Sequence, residues 1–346
     1  MNNRALSENS TGISAMRILS ALAVILLHTA SDWRALLPEG SFVSIFNSSI
    51  KGVSFFAAPV FVIISGYLLL SPSKTEGFKV FYKKRALRMF WPMLLWTLFY
   101  MALRFVSSTG LTLNGALEAL YYGNPYYHMW FLYMIVGLYA VTPLLREFFR
   151  RTQIGAQFFG VCGLLLATWV FSFFYGEPEM FFGARFLPYL GLFTAGGLLS
   201  RLDLEKFEKS AGVIALIGIL FFGPAIAIYS RAYNVNCAAA YHYTGVGCTV
   251  FAISVFIYGL RVLRVRAFDS RPAIHLVGQI TLNAYLIHPF WILLAEKVFI
   301  KTYSPAKYVL SFAFIVTASF ASAWAISILP EAFKRVRAKF CKSSAT

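Results

Sequence analysis

Apolar residues in this chain come in long runs, separated by short polar and basic segments, without the strict alternation of a half-buried strand. The runs lie near 13–35, 48–70, 86–106, 127–145, 155–175, 185–200, 211–230, 243–262, 274–296 and 308–330. Most are about twenty residues long, the length an α-helix needs to cross a hydrocarbon core of roughly 30 Å. The pattern predicts an all-α, polytopic integral membrane bundle of about ten transmembrane helices. The run Ile18 to Leu27, behind a polar start with Arg4, has the shape of a secretory leader core. Arg17 and His28 inside it, and the many spans that follow, predict a retained first helix instead.

Composition sharpens this picture. Of the 346 residues 59% are hydrophobic and only 13% charged, whereas soluble domains run at roughly 45–50% and 25%. The formal net charge of +17 does not point to nucleic acid, because the basic residues cluster between alternate spans. Such clusters occur at Lys74–Arg88, Arg146–Arg151, Arg201–Lys209, Arg261–Arg271 and Lys334–Lys342, while the intervening connections carry fewer, Arg34 and Lys51, Arg104, Arg185, Arg231, and Lys297, Lys301 and Lys307. By the positive-inside rule both termini, with short tails near 1–12 and 331–346, are expected in the cytoplasm. No linker or repeat divides the sequence, so residues 1–346 are expected to form one domain. The segment from Phe105 to Asn124 is the longest external stretch and is expected on the outer surface. Cysteines at 162, 237, 248 and 341 show no metal-ligand spacing, so no metal is expected. Cys237 and Cys248 either pair in an oxidising compartment or sit as separate apolar-face residues.

Titratable groups inside a span are costly and usually face a protein interior or a wet cavity. Arg17 and His28 are eleven positions apart, which at 100° per residue returns them to nearly one face, about 16 Å apart along the axis. A fixed cation near one membrane surface and an imidazole deep inside suit a long donor held at its charged end. Arg17 could fork onto a phosphate, and a neutral His28 could take a proton from an attacking hydroxyl. The alternative is a snorkelling arginine and a hydrogen-bonded structural histidine. Asp32, one turn beyond His28, could orient the imidazole as the third member of a triad, or sit solvated at the interface.

These residues belong to a larger set of motifs. Arg17 and His28 as R-x10-H, Phe61 to Tyr67 with Ser65-Gly66, the basic stretch Phe81 to Arg88 before Pro92, His128-Met129-Trp130-Phe131-Leu132, and Tyr285-Leu286-Ile287-His288-Pro289 occur in this order. Together they resemble the acyltransferase 3 family of membrane-bound acyltransferases, which O-acetylate bacterial surface and exported glycans. The resemblance covers most of the chain, and departs from the family's glycine-rich second-helix entry where Ala57, Ala58 and Pro59 follow Phe56. It implies a multi-pass enzyme of the bacterial inner membrane that takes an acyl group, commonly acetyl, from acetyl-CoA in the cytoplasm to a glycan hydroxyl. His28 would be the catalytic histidine and Arg17 the family's arginine. Arg85 and Arg88, just inside the expected cytoplasmic face, either bind the donor's phosphates with Arg17 or act as topology anchors. His128, Trp130 and Arg185 are candidates for acceptor contact. Ser65-Gly66 reads more simply as a close helix approach, and His288 beside Pro289 as structural. Partners are then acyl-CoA, a lipid-linked or exported glycan and membrane lipids. The rival class is a secondary transporter of a glycan or small anion, which would also need buried polar residues. The chain has no GxxxxGK[ST] loop, which disfavours an ATP-driven pump.

Overall fold

The computed structural model describes residues 3–38, 40–107, 112–175, 180–232, 242–265, 272–299 and 303–343, and is helical with no strand among them. In chain order the α-helices are α1 Asn3–Trp33, α2 Phe42–Ser54, α3 Ala57–Leu69, α4 Phe78–Val106, α5 Leu113–Tyr121, α6 Trp130–Arg151, α7 Ile154–Tyr175, α8 Leu190–Leu199, α9 Glu208–Leu220, α10 Ile226–Ala232, α11 Val246–Val265, α12 Pro272–Phe299 and α13 Pro305–Ser343. Among the described residues nine stretches are long and apolar enough to cross a membrane, and Leu187–Leu199 is a shorter apolar helix. The all-α polytopic architecture expected from the apolar runs is what the chain adopts. Packing divides it into two compact units, Met1–Ser54 with Val262–Thr346, and Phe55–Arg261.

The first unit contains α1, α2, α12 and α13. Gly278 lets α12 lie against α1, since a Cβ there would come within 3.0 Å of the Ser14 Cα. His275 secures the same end by hydrogen bonds with Thr11 (3.1 Å) and Ser14 (3.3 Å). Further along, Ile25, Ile292, Ala295 and Ile315 form a core shared by α1, α12 and α13. Polar side chains pin the opposite end. Asn47 on α2 donates to the Ala30 carbonyl at 2.8 Å, and the buried Trp33 indole donates to Ser311 on α13 at 3.1 Å. In hydrocarbon such groups have no water to turn to, so each bond fixes a helix register. The backbone of the segments expected as short tails is helical, with α1 beginning at Asn3 and α13 continuing to Ser343.

The second unit is centred on α3 and α8. Every residue of α8 from Gly191 to Leu199 is buried, and its fit to α3 depends on two glycines. A Cβ on Gly66 would lie 1.8 Å from the Phe193 carbonyl oxygen, and one on Gly196 would lie 2.2 Å from the Ile63 carbonyl oxygen. The two backbones therefore touch, and Ser65-Gly66 has the packing role read from the sequence. Ser65 returns its hydroxyl to the Phe61 carbonyl of its own helix. Although short, α8 links the two ends of α6. Tyr189 at its start lies 5.6 Å from Trp130, and Arg201 just past its end lies 4.4 Å over Phe149. It completes the passage between α7 and α9. By contrast α4, α7 and α9 expose Trp91, Leu95, Phe159, Leu166, Leu216 and Ile217 among others, as lipid-facing helices do.

Between Phe105 and Asn124 the described residues form the short helix α5. Thr112 caps it by accepting from the Gly115 amide, and Gly123 at φ 60° closes the turn after it. Leu113, Leu117, Leu120 and Tyr121 are exposed along it, the arrangement of a helix lying in a membrane interface. The span from 204 to 229 bends at Gly223-Pro224, where Gly223 leaves helical geometry at ψ −109°. Cys248 is buried, and Cys237 lies outside the described residues, as would any pairing between them.

Candidate active site

The first unit brings two histidines together inside the membrane-spanning stretches. His28 on α1 and His288 on α12 have ring centroids 5.3 Å apart with ring planes inclined by 31°. His288 is fully buried and His28 is partly so. Local backbone chemistry sets the orientation of His288. Pro289 stands within α12 and has no N–H, so the carbonyl four residues back, at Tyr285, receives no bond from it. The Nδ1–H of His288 donates to that carbonyl instead. A neutral ring so placed carries its proton on Nδ1 and presents a lone pair at Nε2. The His-Pro pair therefore selects a tautomer within a continuous helix.

Charged groups of the same unit act on His28 and on Asp32 one turn later. Lys51 on α2 acts electrostatically on both His28 and Asp32, while Glu296 on α12 acts on Asp32. No hydrogen bond or ion pair joins Asp32 to His28 among the described residues, and Asp32 Oδ2 is buried without a hydrogen-bond partner. Of the two readings of Asp32, the triad-like one is not what the geometry places at His28, whose ring neighbour is His288. Arg17 is partly buried on the uninterrupted α1, eleven residues and so about 16 Å before His28. The helix keeps both on nearly one face, as their spacing predicts, without bringing them into contact.

The other candidates lie in the second unit. Arg85 is mostly buried, 3.9 Å from Glu76, with its guanidinium 5.4 Å over Phe81 and 5.8 Å over Tyr139, whereas Arg88 one turn later is exposed. Both are already within α4, because the basic stretch read as an entry to the span is helical from Phe78. Glu76 is the hub of this region. It accepts from Lys84 at 3.0 Å and from Arg146 at 3.3 Å, and these bonds, Lys84 first, hold its carboxyl below its ordinary value. Arg146 also donates to the Leu69 carbonyl at 2.7 Å, closing the end of α3.

The aromatic candidates are set deeper than an interfacial helix start suggests. His128 has no exposed surface and sits edge-on to Tyr100 at 4.9 Å, with Tyr126 and Tyr127 also around it. Trp130 is partly buried between Tyr189 (5.6 Å) and Tyr243 (5.5 Å). Arg185 donates from Nε to the Tyr122 carbonyl at 2.6 Å, tying the turn before α8 to the turn after α5. What sequence reasoning missed as site residues are His288 and Lys51 near His28, Glu296 near Asp32, and Arg146 and Glu76 beside Arg85. Only His288 had a visible signal, the adjacent proline.

A multi-pass helical membrane protein with an imidazole pair buried among its spans is equipped for proton handling on a substrate reached within the bilayer. The comparisons say which such class this is. The family model Acyl_transf_3, described as an acyltransferase domain, matches residues 10–328 and so runs across both units. The chain belongs to the acyltransferase 3 family and is a membrane acyltransferase. Neither a curated protein nor a solved structure matches it.

Proposed function

We propose that this protein moves an acetyl group from cytoplasmic acetyl-CoA to a hydroxyl of an exported or lipid-linked surface glycan at the bacterial inner membrane. The observation that carries the reading is the His28–His288 pair, with the tautomer of His288 set by its bond to the Tyr285 carbonyl. In this mechanism His28 accepts the proton of the acceptor hydroxyl as its oxygen attacks the thioester carbon. The new ester C–O bond forms, the C–S bond breaks, and the imidazolium returns the proton to the departing thiolate. His288, with Nε2 free of a proton, stabilises the transiently charged His28 by accepting from its N–H. Arg17, Arg85 and Arg88 are the candidate cations for the donor's phosphates, by their expected place toward the cytoplasmic face. His128, Trp130 and Arg185 are the candidates for contact with the acceptor.

Purified protein in proteoliposomes, given radiolabelled acetyl-CoA and lipid-linked glycans, tests the reading directly. Label transfer by the wild type and a fall of about a hundredfold or more in His28→Ala at equal folded yield are expected, the range typical for removal of a general base. Transfer undiminished in His28→Ala would remove the proposed catalytic centre.

A further inference from the structure

A second feature lies in the Phe55–Arg261 unit. A cavity of about 580 Å³ opens where the 70–78 segment meets the last turn of α6 and the end of α8. Four cations line it, Lys74, Arg146, Arg150 and Arg201, against two carboxylates, Glu76 and Glu147. Those carboxylates are already engaged, Glu76 by Lys84 and Arg146, and Glu147 by Arg150 and Arg151. Arg201 and Lys74 have no carboxylate within ion-pair distance among the described residues.

Arg201 is built in and not merely present. Its Nη1 donates to the Gly197 carbonyl at 2.7 Å and to Ser200 Oγ at 3.3 Å, and its guanidinium lies 4.4 Å over the Phe149 ring. These contacts fix the plane of the fork while Nε and Nη2 have no protein acceptor among the described residues. Burial without a counter-charge pulls its pKa down from the ordinary value. An oriented guanidinium with spare parallel donors matches the geometry of a phosphate. Phe78 on the cavity wall is 60% exposed and offers a face on which a planar base can stack. The volume falls in the range of small-molecule sites, roughly 300–1,000 Å³. Neither Arg85 nor Arg88 lines it, although Arg85 approaches the same Glu76 from α4.

We propose that this cavity is a binding site for a phosphorylated nucleotide head, with Arg201 forking onto a phosphate, Lys74 supplying a second positive charge and Phe78 covering the base. The proposal rests on the functional reading above, because a coenzyme A thioester ends in such a head, and it moves part of the donor's anchoring from the α4 arginines to the α6–α8 corner. An anionic phospholipid headgroup shares the phosphate chemistry without the base.

The full-length protein in nanodiscs of neutral phosphatidylcholine, titrated with adenosine 3′,5′-bisphosphate, tests it. The wild type should bind, adenosine should not, and Arg201→Gln should weaken binding at least tenfold. Lys74→Ala, at an exposed position, should weaken it about threefold and rise in effect at low salt. In the transfer assay both variants should raise the KM for acetyl-CoA and leave kcat unchanged. Bisphosphate affinity unchanged in both variants overturns the site. So does displacement of the bisphosphate by anionic lipid in the nanodisc with no dependence on the adenine, which would make the occupant a headgroup. Binding as expected in a protein that transfers no acyl group would refute the acyltransfer to glycan and leave the cavity assignment standing. Transfer with an unaltered donor KM in both variants would do the reverse.

Discussion

The two ring nitrogens of His288 can be separated by substitution, and the separation makes a crossed prediction. Asparagine places an amide nitrogen near Nδ1, so His288→Asn can still donate to the Tyr285 carbonyl that Pro289 leaves without a backbone donor. It has nothing at the position of Nε2. Glutamine reaches further, so His288→Gln can offer an acceptor near Nε2 while leaving the Tyr285 carbonyl unsatisfied. A hydrogen bond to a charged group is worth about 1.5–3 kcal/mol, which at about 1.4 kcal/mol per decade is roughly a 10- to 150-fold effect on rate. His288→Asn should therefore lose kcat by about that factor with its thermal midpoint nearly unchanged. His288→Gln should keep kcat within about fivefold of wild type but lose about 1–3 kcal/mol of stability, the cost of an unpaired buried carbonyl. Label transfer under saturating acetyl-CoA and thermal unfolding in the same detergent give the two orders. Equal kcat in wild type and His288→Asn would show that Nε2 takes no part in the reaction. A parallel fall of both quantities in both variants would make His288 a packing residue.

Three further outcomes follow from the geometry. Gly66→Ala would drive a methyl group into the Phe193 carbonyl at 1.8 Å, backbone against backbone, so α3 and α8 must part; a loss of about 1–3 kcal/mol or more should appear as a lower melting temperature, and a variant as stable as wild type would contradict the close approach. Glu76 has its folded pKa lowered from 4.5, so its ion pairs stabilise the fold above that pH and the contribution is lost as pH falls through the lowered value. Glu76→Gln should therefore be the less stable protein near neutrality and converge on wild type in acid, as thermal midpoints across that pH range would show; a gap between the two that did not narrow in acid would exclude the pairing. Asp32→Asn should change transfer by less than about threefold, because Asp32 makes no hydrogen bond to His28; a loss comparable with His28→Ala would restore the orienting role that its position at i+4 suggested.

What the sequence shows well is whatever depends on one helix at a time. Apolar length alone marks the spans, and helical periodicity alone puts Arg17 and His28 on one face of α1. Helix ends are less legible, because the basic stretch from Phe78 reads as a membrane boundary while its backbone is already helical. The short α8 marks a different limit. It is legible as apolar, yet its shortness makes sense only once Gly66 and Gly196 are seen to let it lie wholly inside the unit, away from lipid.

The site depends on registers between helices, and no local pattern encodes those. His288 meets His28 from 260 positions away because Gly278, His275 and Asn47 fix how α12 and α2 lie on α1. Arg201 meets the end of α6 because α8 starts beside Trp130 and ends beside Phe149. One local mark of such a partner was nonetheless present. A proline within a membrane span frees a carbonyl four residues earlier, and hydrocarbon leaves that carbonyl no solvent, so a donor must be close by. In Tyr285-Leu286-Ile287-His288-Pro289 the nearest side-chain donor is the imidazole itself. Its bond to that carbonyl directs the other nitrogen away from its own helix backbone, which is what a residue positioned to serve a neighbouring helix requires. Read in that way, the proline makes the adjacent histidine a site candidate before any fold is known.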